Sequence, residues 1–187
     1  IRTVNLYEAA GASAIQIEDQ QWPKRCGHIQ GKMLIPKEEM VSKIRAALEA
    51  RTKDTLIIAR TDAIAVEGFD AALDRAESYL RAGADVLFVE APENMDQLVD
   101  IPRRLPAVHL INMAETGKGF NLTADELEAM GYRLAIYPGT AFLAAIRAMS
   151  EALGQLLAER SAAGLAGRFV PAKEFLALIG MFDYLGK

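Results

Sequence analysis

Three segments of this chain repeat one plan: AGASAIQIED at 10–19, AGADVLFVEA at 82–91 and MGYRLAIYPG at 130–139. In each, a glycine is followed by a short apolar run and then by a change of character at the end of the run. The glycine suits the residue just past a helix, where a positive φ costs little. The runs IQI, VLFV and LAI are rich in branched side chains and lack a clean polar alternation. That pattern predicts strands covered on both faces, as in a parallel sheet. TLIIARTDA at 55–63 and AVHLINMAE at 107–115 extend the series to five strands.

Helical patterns fill the gaps. Pro36 to Arg51 opens on proline and two acids and carries Met40, Ile44 and Leu48 on one face. Phe69–Arg81 carries Leu73, Ala76 and Leu80, and Asn94–Arg104 carries Leu98 and Ile101. Thr123-Ala-Asp-Glu126 reads as a capping box for a helix through Met130. A long Ala/Leu-rich helix is expected over 140–160, a loop at Gly164–Gly167, and a last apolar helix from Pro171 to Tyr184.

Strand-helix alternation with short connections is the signature of a parallel α/β architecture. A closed (β/α)₈ barrel needs eight units in typically about 250 residues. Five units allow either an open doubly wound sheet or a barrel without its first three units. The opening IRTVNLYEAAGASA has no Met and no signal-peptide pattern, and it reads like the middle of a helix; this favours the second expectation.

The 187 residues, 51% hydrophobic and 25% charged, are enough for one domain with a sizeable core. A net charge of −4 argues against a nucleic-acid binder. The single cysteine excludes an intrachain disulfide and points to a reducing, cytoplasmic setting. No apolar run is read as approaching the roughly 20 residues of a membrane helix.

In parallel α/β proteins the chemistry sits at the carboxyl ends of the strands. Here those ends carry Glu18-Asp19, Arg60-Thr-Asp62, Glu90, Asn112 with Glu115, and Tyr137-Pro138. Each has a plain structural alternative. Glu18 and Asp19 would cap the next segment, or hold a cation through water. Arg60 would pair with Asp62, or offer its planar fork to a substrate carboxylate. Glu90 would end a strand, and Asn112 would satisfy a neighbouring backbone. His109, inside a strand, reads as structural. Lys118 and Gly119 in ETGKGF lack the spacing of a phosphate-binding loop.

The connection after the first strand, EDQQWPKRCGHIQGK, is long for a βα loop, as lids often are. It holds Cys26 among Lys24, Arg25 and His28, and positive neighbours lower a thiol's pKa. Gly27 and Gly31 add freedom, and Trp22-Pro23 offers a hinge anchor. A lone cysteine is more often an inert buried residue, but this one lies outside any apolar run.

IEDQQWPKRCGH resembles the signature loop of the isocitrate lyase/phosphoenolpyruvate mutase superfamily. ARTDA at 59–63, FVEAP at 88–92, NMAETG at 112–117 and LAIYP at 134–138 follow in that superfamily's order. The resemblance covers essentially the whole chain. It implies a (β/α)₈ barrel of which this chain holds about the last five units, with helices at about 140–187 exchanged between subunits in a dimer of dimers. It implies Mg²⁺, with Mn²⁺ as a substitute, and small 2-hydroxy or 2-oxo dicarboxylate substrates. No membrane or nucleic-acid partner is expected.

The Cys-Gly-His loop resembles the carbon–carbon lyase branch, that of methylisocitrate lyase and 2,3-dimethylmalate lyase. The resemblance makes Cys26 the proton donor to the enolate left by bond cleavage. It makes Arg60 the holder of the substrate carboxylate, and Glu18 a contact to Mg²⁺ through water. Gly27, His28, Arg60, Glu90 and Asn112 become the substrate lining. Two departures accompany it. The superfamily's metal-binding aspartates belong to an earlier strand absent from this chain. Methylisocitrate lyases carry arginines where this chain has Leu143 and Ala172. Those cations serve the third carboxylate of a tricarboxylate, and leucine cannot replace them. The expected activity is therefore cleavage of a substituted malate such as 2,3-dimethylmalate. The alternatives are methylisocitrate cleavage, oxaloacetate hydrolysis or decarboxylation, phosphonate chemistry, or an inactive fragment.

Overall fold

A computed structural model describes residues 1–27, 29, 31–115 and 120–186. The chain divides into two compact units, Ile1–Gly139 and Thr140–Lys187. The first begins with α1 (Arg2–Ala9) and continues β1 (Ala14–Glu18), α2 (Lys37–Ala50), β2 (Leu56–Thr61), α3 (Ile64–Glu67), α4 (Phe69–Arg81), β3 (Val86–Val89), α5 (Met95–Arg104), β4 (Val108–Asn112), α6 (Ala124–Met130) and β5 (Tyr132–Ile136). The five strands pair in parallel in the order β1-β2-β3-β4-β5, each beside its neighbour in the chain.

Local chemistry accounts for most boundaries. Gly11, Gly83 and Gly131 sit just past α1, α4 and α6 with φ of 88°, 106° and 107°, as the repeat predicts. Asn94 caps α5 through its side chain, which accepts from the Gln97 amide. Thr123 and Glu126 form the expected capping box on α6. Short α3, which the sequence reading did not anticipate, inserts between β2 and α4.

Side chains alternate between the two faces of each strand. On the helix-covered face, Ile15, Ile57, Ala59, Leu87 and Val89 pack with Met40, Ile44, Ala47, Leu73, Ala76 and Tyr79 into the main core. On the opposite face Ile58, Val86, Phe88 and Leu110 form a smaller cluster. Coverage on both faces holds for β3, which is buried throughout. It fails for β5, where Arg133 to Ile136 are exposed. β5 pairs with β4 alone, and none of its residues belongs to the main core.

The buried carboxylate of Glu8 ties α1 to the turn before β2. It accepts from the Thr52 amide and hydroxyl, each at 2.9 Å, and from the Lys53 amide. The hydrogen bond from the Thr52 amide is the chief cause of a pKa below the ordinary value.

The second unit holds α7 (Thr140–Glu159), a 3₁₀ turn (Ala163–Arg168), α8 (Ala172–Leu178) and α9 (Met181–Tyr184). Three expectations change here. Residues 164–167 lie in the 3₁₀ turn, not an open loop. The last apolar stretch is two helices, broken at Gly180 with φ of 71°. The 20-residue α7 is long and apolar enough by length and composition to cross a membrane, which corrects the reading that no segment approached that size. The sequence reading judged unbroken apolar runs, and Arg147 and Glu151 interrupt this one. The two pair with each other, and Arg168 meets Glu151 at 2.9 Å.

Candidate active site

The sheet places four polar strand ends side by side. Glu18 lies opposite Arg60 in the β1–β2 register, and Arg60 lies opposite Phe88 in the β2–β3 register. Glu90 follows two residues after Phe88, and Asn112 ends β4. Because faces alternate, Glu18, Arg60, Glu90 and Asn112 share the sheet face away from the helices.

Arg60 is the centre of this group. Its Nε and Nη2 donate to the two carboxylate oxygens of Asp62 at 2.8 and 3.0 Å. Glu18 and Glu90 each approach it at 3.4 Å. Phe88 lies beneath, with the guanidinium carbon 5.0 Å from its ring centroid. Burial alone would lower the pKa of Arg60. The hydrogen bond to Asp62 and the charges of Glu90, Asp62 and Glu18 outweigh it and hold the pKa above the ordinary value. The Asn112 amide donates to Glu90 Oε1 at 3.2 Å.

The long loop closes onto this group through its backbone. Gly27 is buried, and a Cβ there would come within 2.3 Å of Glu90 Oε1 and 2.8 Å of Arg60 Nη2. Only glycine permits that approach. The ammonium of buried Lys32 donates to the Gly27 carbonyl. The Gln20 side chain clasps Arg25 with two 2.8 Å hydrogen bonds, one to its carbonyl and one from its amide. Gln20 and Leu34 bridge in antiparallel fashion, and the Gln21 amide donates to Met33 at 2.8 Å, which gives the loop a paired stem. Lys24 reaches back to Glu18 at 3.1 Å.

Cys26, one residue before the buried Gly27, is exposed. Trp22 is exposed too and anchors nothing in the core. His28, Lys118 and Gly119 lie outside the described residues. Glu115 turns to the backbone, accepting from the Gly139 amide at 3.0 Å, and Tyr137 is exposed. His109 is buried, its Nε2 2.8 Å from the Leu105 carbonyl and its ring edge-on to Tyr132. That is the structural role expected of it.

The sequence reading named Asp62 only as a structural partner of Arg60, and that pair exists. It did not single out Lys24 on Glu18 or Lys32 on Gly27. The signal available for both was a cation inside a loop opening on two acids.

Glu18 Oε1 is buried without a hydrogen-bond partner, as is Asn112 Oδ1. An open carboxylate oxygen suits contact with a hydrated divalent cation. Both oxygens of Asp62 are taken by Arg60, and those of Asp19 by other donors. Among the described residues no group of three His, Cys, Asp or Glu could hold a metal ion. The described residues fit an outer, water-mediated contact to Mg²⁺ and do not supply a direct coordination set.

The family model for phosphoenolpyruvate phosphomutase matches residues 1–157. A 2-methylisocitrate lyase of Aeropyrum pernix is 45% identical over 98% of this chain and 59% of its own length. A 2,3-dimethylmalate lyase of Eubacterium barkeri is 42% identical over 97% of this chain and 63% of its own length. The chain thus spans about three fifths of these curated relatives. Among solved structures, a 2,3-dimethylmalate lyase superposes with a TM-score of 0.91 at 33% identity, covering 99% of this chain and 62% of that one. A phosphonopyruvate hydrolase complexed with oxalate and Mg²⁺ superposes with a TM-score of 0.85 at 28% identity, covering 99% and 65%. The open five-stranded sheet corresponds to part of the (β/α)₈ barrel of these structures. The chain thus belongs to the phosphoenolpyruvate phosphomutase family, within the isocitrate lyase/phosphoenolpyruvate mutase superfamily.

Proposed function

We propose that the protein is a Mg²⁺-dependent carbon–carbon lyase that splits a substituted malate of the 2,3-dimethylmalate type into a 2-oxo acid and a carboxylic acid. The observation that supports this reading is the seating of Gly27, the residue that follows Cys26, against Arg60 and Glu90.

In this reading Arg60, held flat by Asp62, binds a substrate carboxylate through its remaining donor edge. Glu90 and Asn112 orient the substrate from the next two strands. The substrate hydroxyl gives its proton to one of the strand-end carboxylates, Glu18 or Glu90, as the carbon–carbon bond breaks, and its carbon becomes the 2-oxo carbon. The bonding electrons pass to the neighbouring carbon, which is left as an enolate. Cys26 donates the thiol proton to that carbon, completing the carboxylic acid. The Gly27 contact excludes water from the base of the site while this happens.

Three carboxylates, Glu18, Asp62 and Glu90, face the two cations Arg60 and Lys24. That excess of negative charge favours an added cation before a dianion enters. Glu18 would hold Mg²⁺ through water, and bound Mg²⁺ would supply Lewis-acid polarisation of substrate oxygens. Mn²⁺ would serve in its place. Cleavage of 2-methylisocitrate is the second reading, supported by the 45% identity to the Aeropyrum enzyme; Leu143 in place of an arginine weighs against it. The unburied apolar surface of α7 suits helix exchange between subunits of a cytoplasmic homo-oligomer.

The test is incubation of the complete protein and Mg²⁺ with 2,3-dimethylmalate, 2-methylisocitrate, isocitrate and oxaloacetate, with products identified by mass spectrometry. Cleavage of a substituted malate that Cys26→Ala abolishes is the expected result. Consumption of oxaloacetate alone, unaffected by Cys26→Ala, would overturn the lyase reading.

A further inference from the structure

Asp19 follows Glu18 and therefore faces the other way, into the helix-covered side of the sheet. It is fully buried. Its carboxylate accepts from the Thr61 hydroxyl at 2.7 Å, the Asp62 amide at 3.0 Å and the Tyr79 hydroxyl at 2.8 Å. Its backbone amide donates to the Arg60 carbonyl at 3.2 Å, and its carbonyl accepts from the Ile35 amide at 2.9 Å. Arg75, one helical turn before Tyr79 on α4, lies 3.5 Å from the same carboxylate and donates to the Ile35 carbonyl at 3.0 Å. Glu67 holds Arg75 in turn through two 2.7 Å hydrogen bonds.

We propose that Asp19 is a positioning residue that joins the Arg60 group to the stem of the Cys26 loop, with Tyr79 and Arg75 holding its carboxylate in place. The inference rests on the reading of Arg60 as the carboxylate-binding group. On one side, Asp19 fixes the Thr61–Asp62 backbone, and Asp62 fixes the guanidinium plane of Arg60. On the other side, Asp19 and Arg75 grip the amide and carbonyl of Ile35, where the loop re-enters the core. Both stem ends of a long loop are thereby referred to the same strand end as the arginine they close upon. A buried carboxylate is a costly way to obtain stability alone, since well-packed apolar groups of similar size often do as well or better. Its value here is geometric, because a misplacement of about 1 Å can cost about a hundredfold in rate.

The test uses the complete protein without ligand, as wild type, Asp19→Asn, Tyr79→Phe and the distant core control Ile111→Val. Amide hydrogen exchange is followed by mass spectrometry, and loop motion by the fluorescence anisotropy of Trp22, the one tryptophan in the chain. Both network variants are expected to speed exchange about tenfold in residues 20–35 and 60–63 and to lower Trp22 anisotropy, while Ile111→Val does neither. Tyr79→Phe removes a single hydroxyl and keeps the proposal testable if Asp19→Asn does not fold. Unchanged exchange at those segments, or an equal rise across the whole chain, would overturn the positioning role. A coupled loop in a protein that turns over no dicarboxylate would leave this link standing and remove only the lyase reading.

Discussion

Arg60 and Asp62, two residues apart at the end of β2, form a two-point ion pair at 2.8 and 3.0 Å at the centre of the polar strand ends. The pair uses Nε and Nη2, so the direction of the remaining donor edge is set by Asp62 and not by the flexible arginine stem. Planar, two-point pairing is the property that separates arginine from lysine in such a role.

Asp62→Asn should therefore lower kcat/KM for the dicarboxylate by about 10- to 100-fold while the protein stays folded. Arg60→Lys should not recover the loss, because an ammonium offers no fork. Steady-state kinetics beside far-UV circular dichroism measure both. Near-wild-type kcat/KM for Asp62→Asn would show that Arg60 needs no such alignment.

The close approach of Gly27 makes a second prediction. A methyl group there would stand 2.3 Å from Glu90 Oε1 and 2.7 Å from Glu90 Cγ, so the loop must lift or the buried glutamate must shift. Gly27→Ala should lower kcat by about 5- to 150-fold, the effect of roughly 1–3 kcal/mol of overpacking at the closed loop. The thermal midpoint should barely move, since the loop contributes little to the main core. Full activity in Gly27→Ala would mean that the seated position is not the working one.

His109 gives a pH dependence with a definite sign. Burial lowers its pKa below the ordinary histidine value, with the contact to the Leu105 carbonyl opposing. Its Nδ1 is buried without a partner, so protonation there would create a donor with no acceptor. The folded state resists a proton that the unfolded state accepts below about pH 6.5. Stability is highest above that pH and is lost as the pH falls toward the lowered folded value, where His109 itself protonates. Thermal unfolding between pH 8 and pH 5 should show this slope, and His109→Gln should flatten it even if its midpoint is lower throughout.

Substrate choice makes the fourth prediction. The resemblance to methylisocitrate lyases implies an arginine, for a third carboxylate, at the position of Leu143. Leu143→Arg should raise kcat/KM for 2-methylisocitrate relative to 2,3-dimethylmalate about tenfold or more, the scale of one added charge-assisted hydrogen bond. Competition between the two substrates, read by mass spectrometry, measures the ratio. An unchanged ratio would remove Leu143 from the specificity argument.

Local signals carried a large part of this fold. The glycines after α1, α4 and α6, the capping box at Thr123 and Glu126, and the apolar faces of α2 and α4 are written in neighbouring residues. Phe69–Arg81 is a helix over the range read from its periodicity. The strand ends were legible for the same reason: a polar residue directly after an apolar run marks where a parallel strand leaves the sheet. Chain position, by contrast, hid the exposure of β5, because the covering of a strand's faces is a relation to other elements. The break at Gly180 was missed because an apolar stretch reads alike whether one helix or two carries it.

By itself, then, the sequence determined five βα units, the polar character of their ends and a cysteine loop opening on Glu-Asp, since each depends on residues close in the chain. Tertiary structure alone decided how those groups divide. Strand alternation turned Glu18 toward Arg60 and Asp19 toward Tyr79, and parallel pairing brought Arg60 within 3.4 Å of both Glu18 and Glu90. It also decided that Gly27, not Cys26, is the loop residue buried against the site. Those outcomes rest on contacts between residues tens of positions apart, which form only when the sheet assembles.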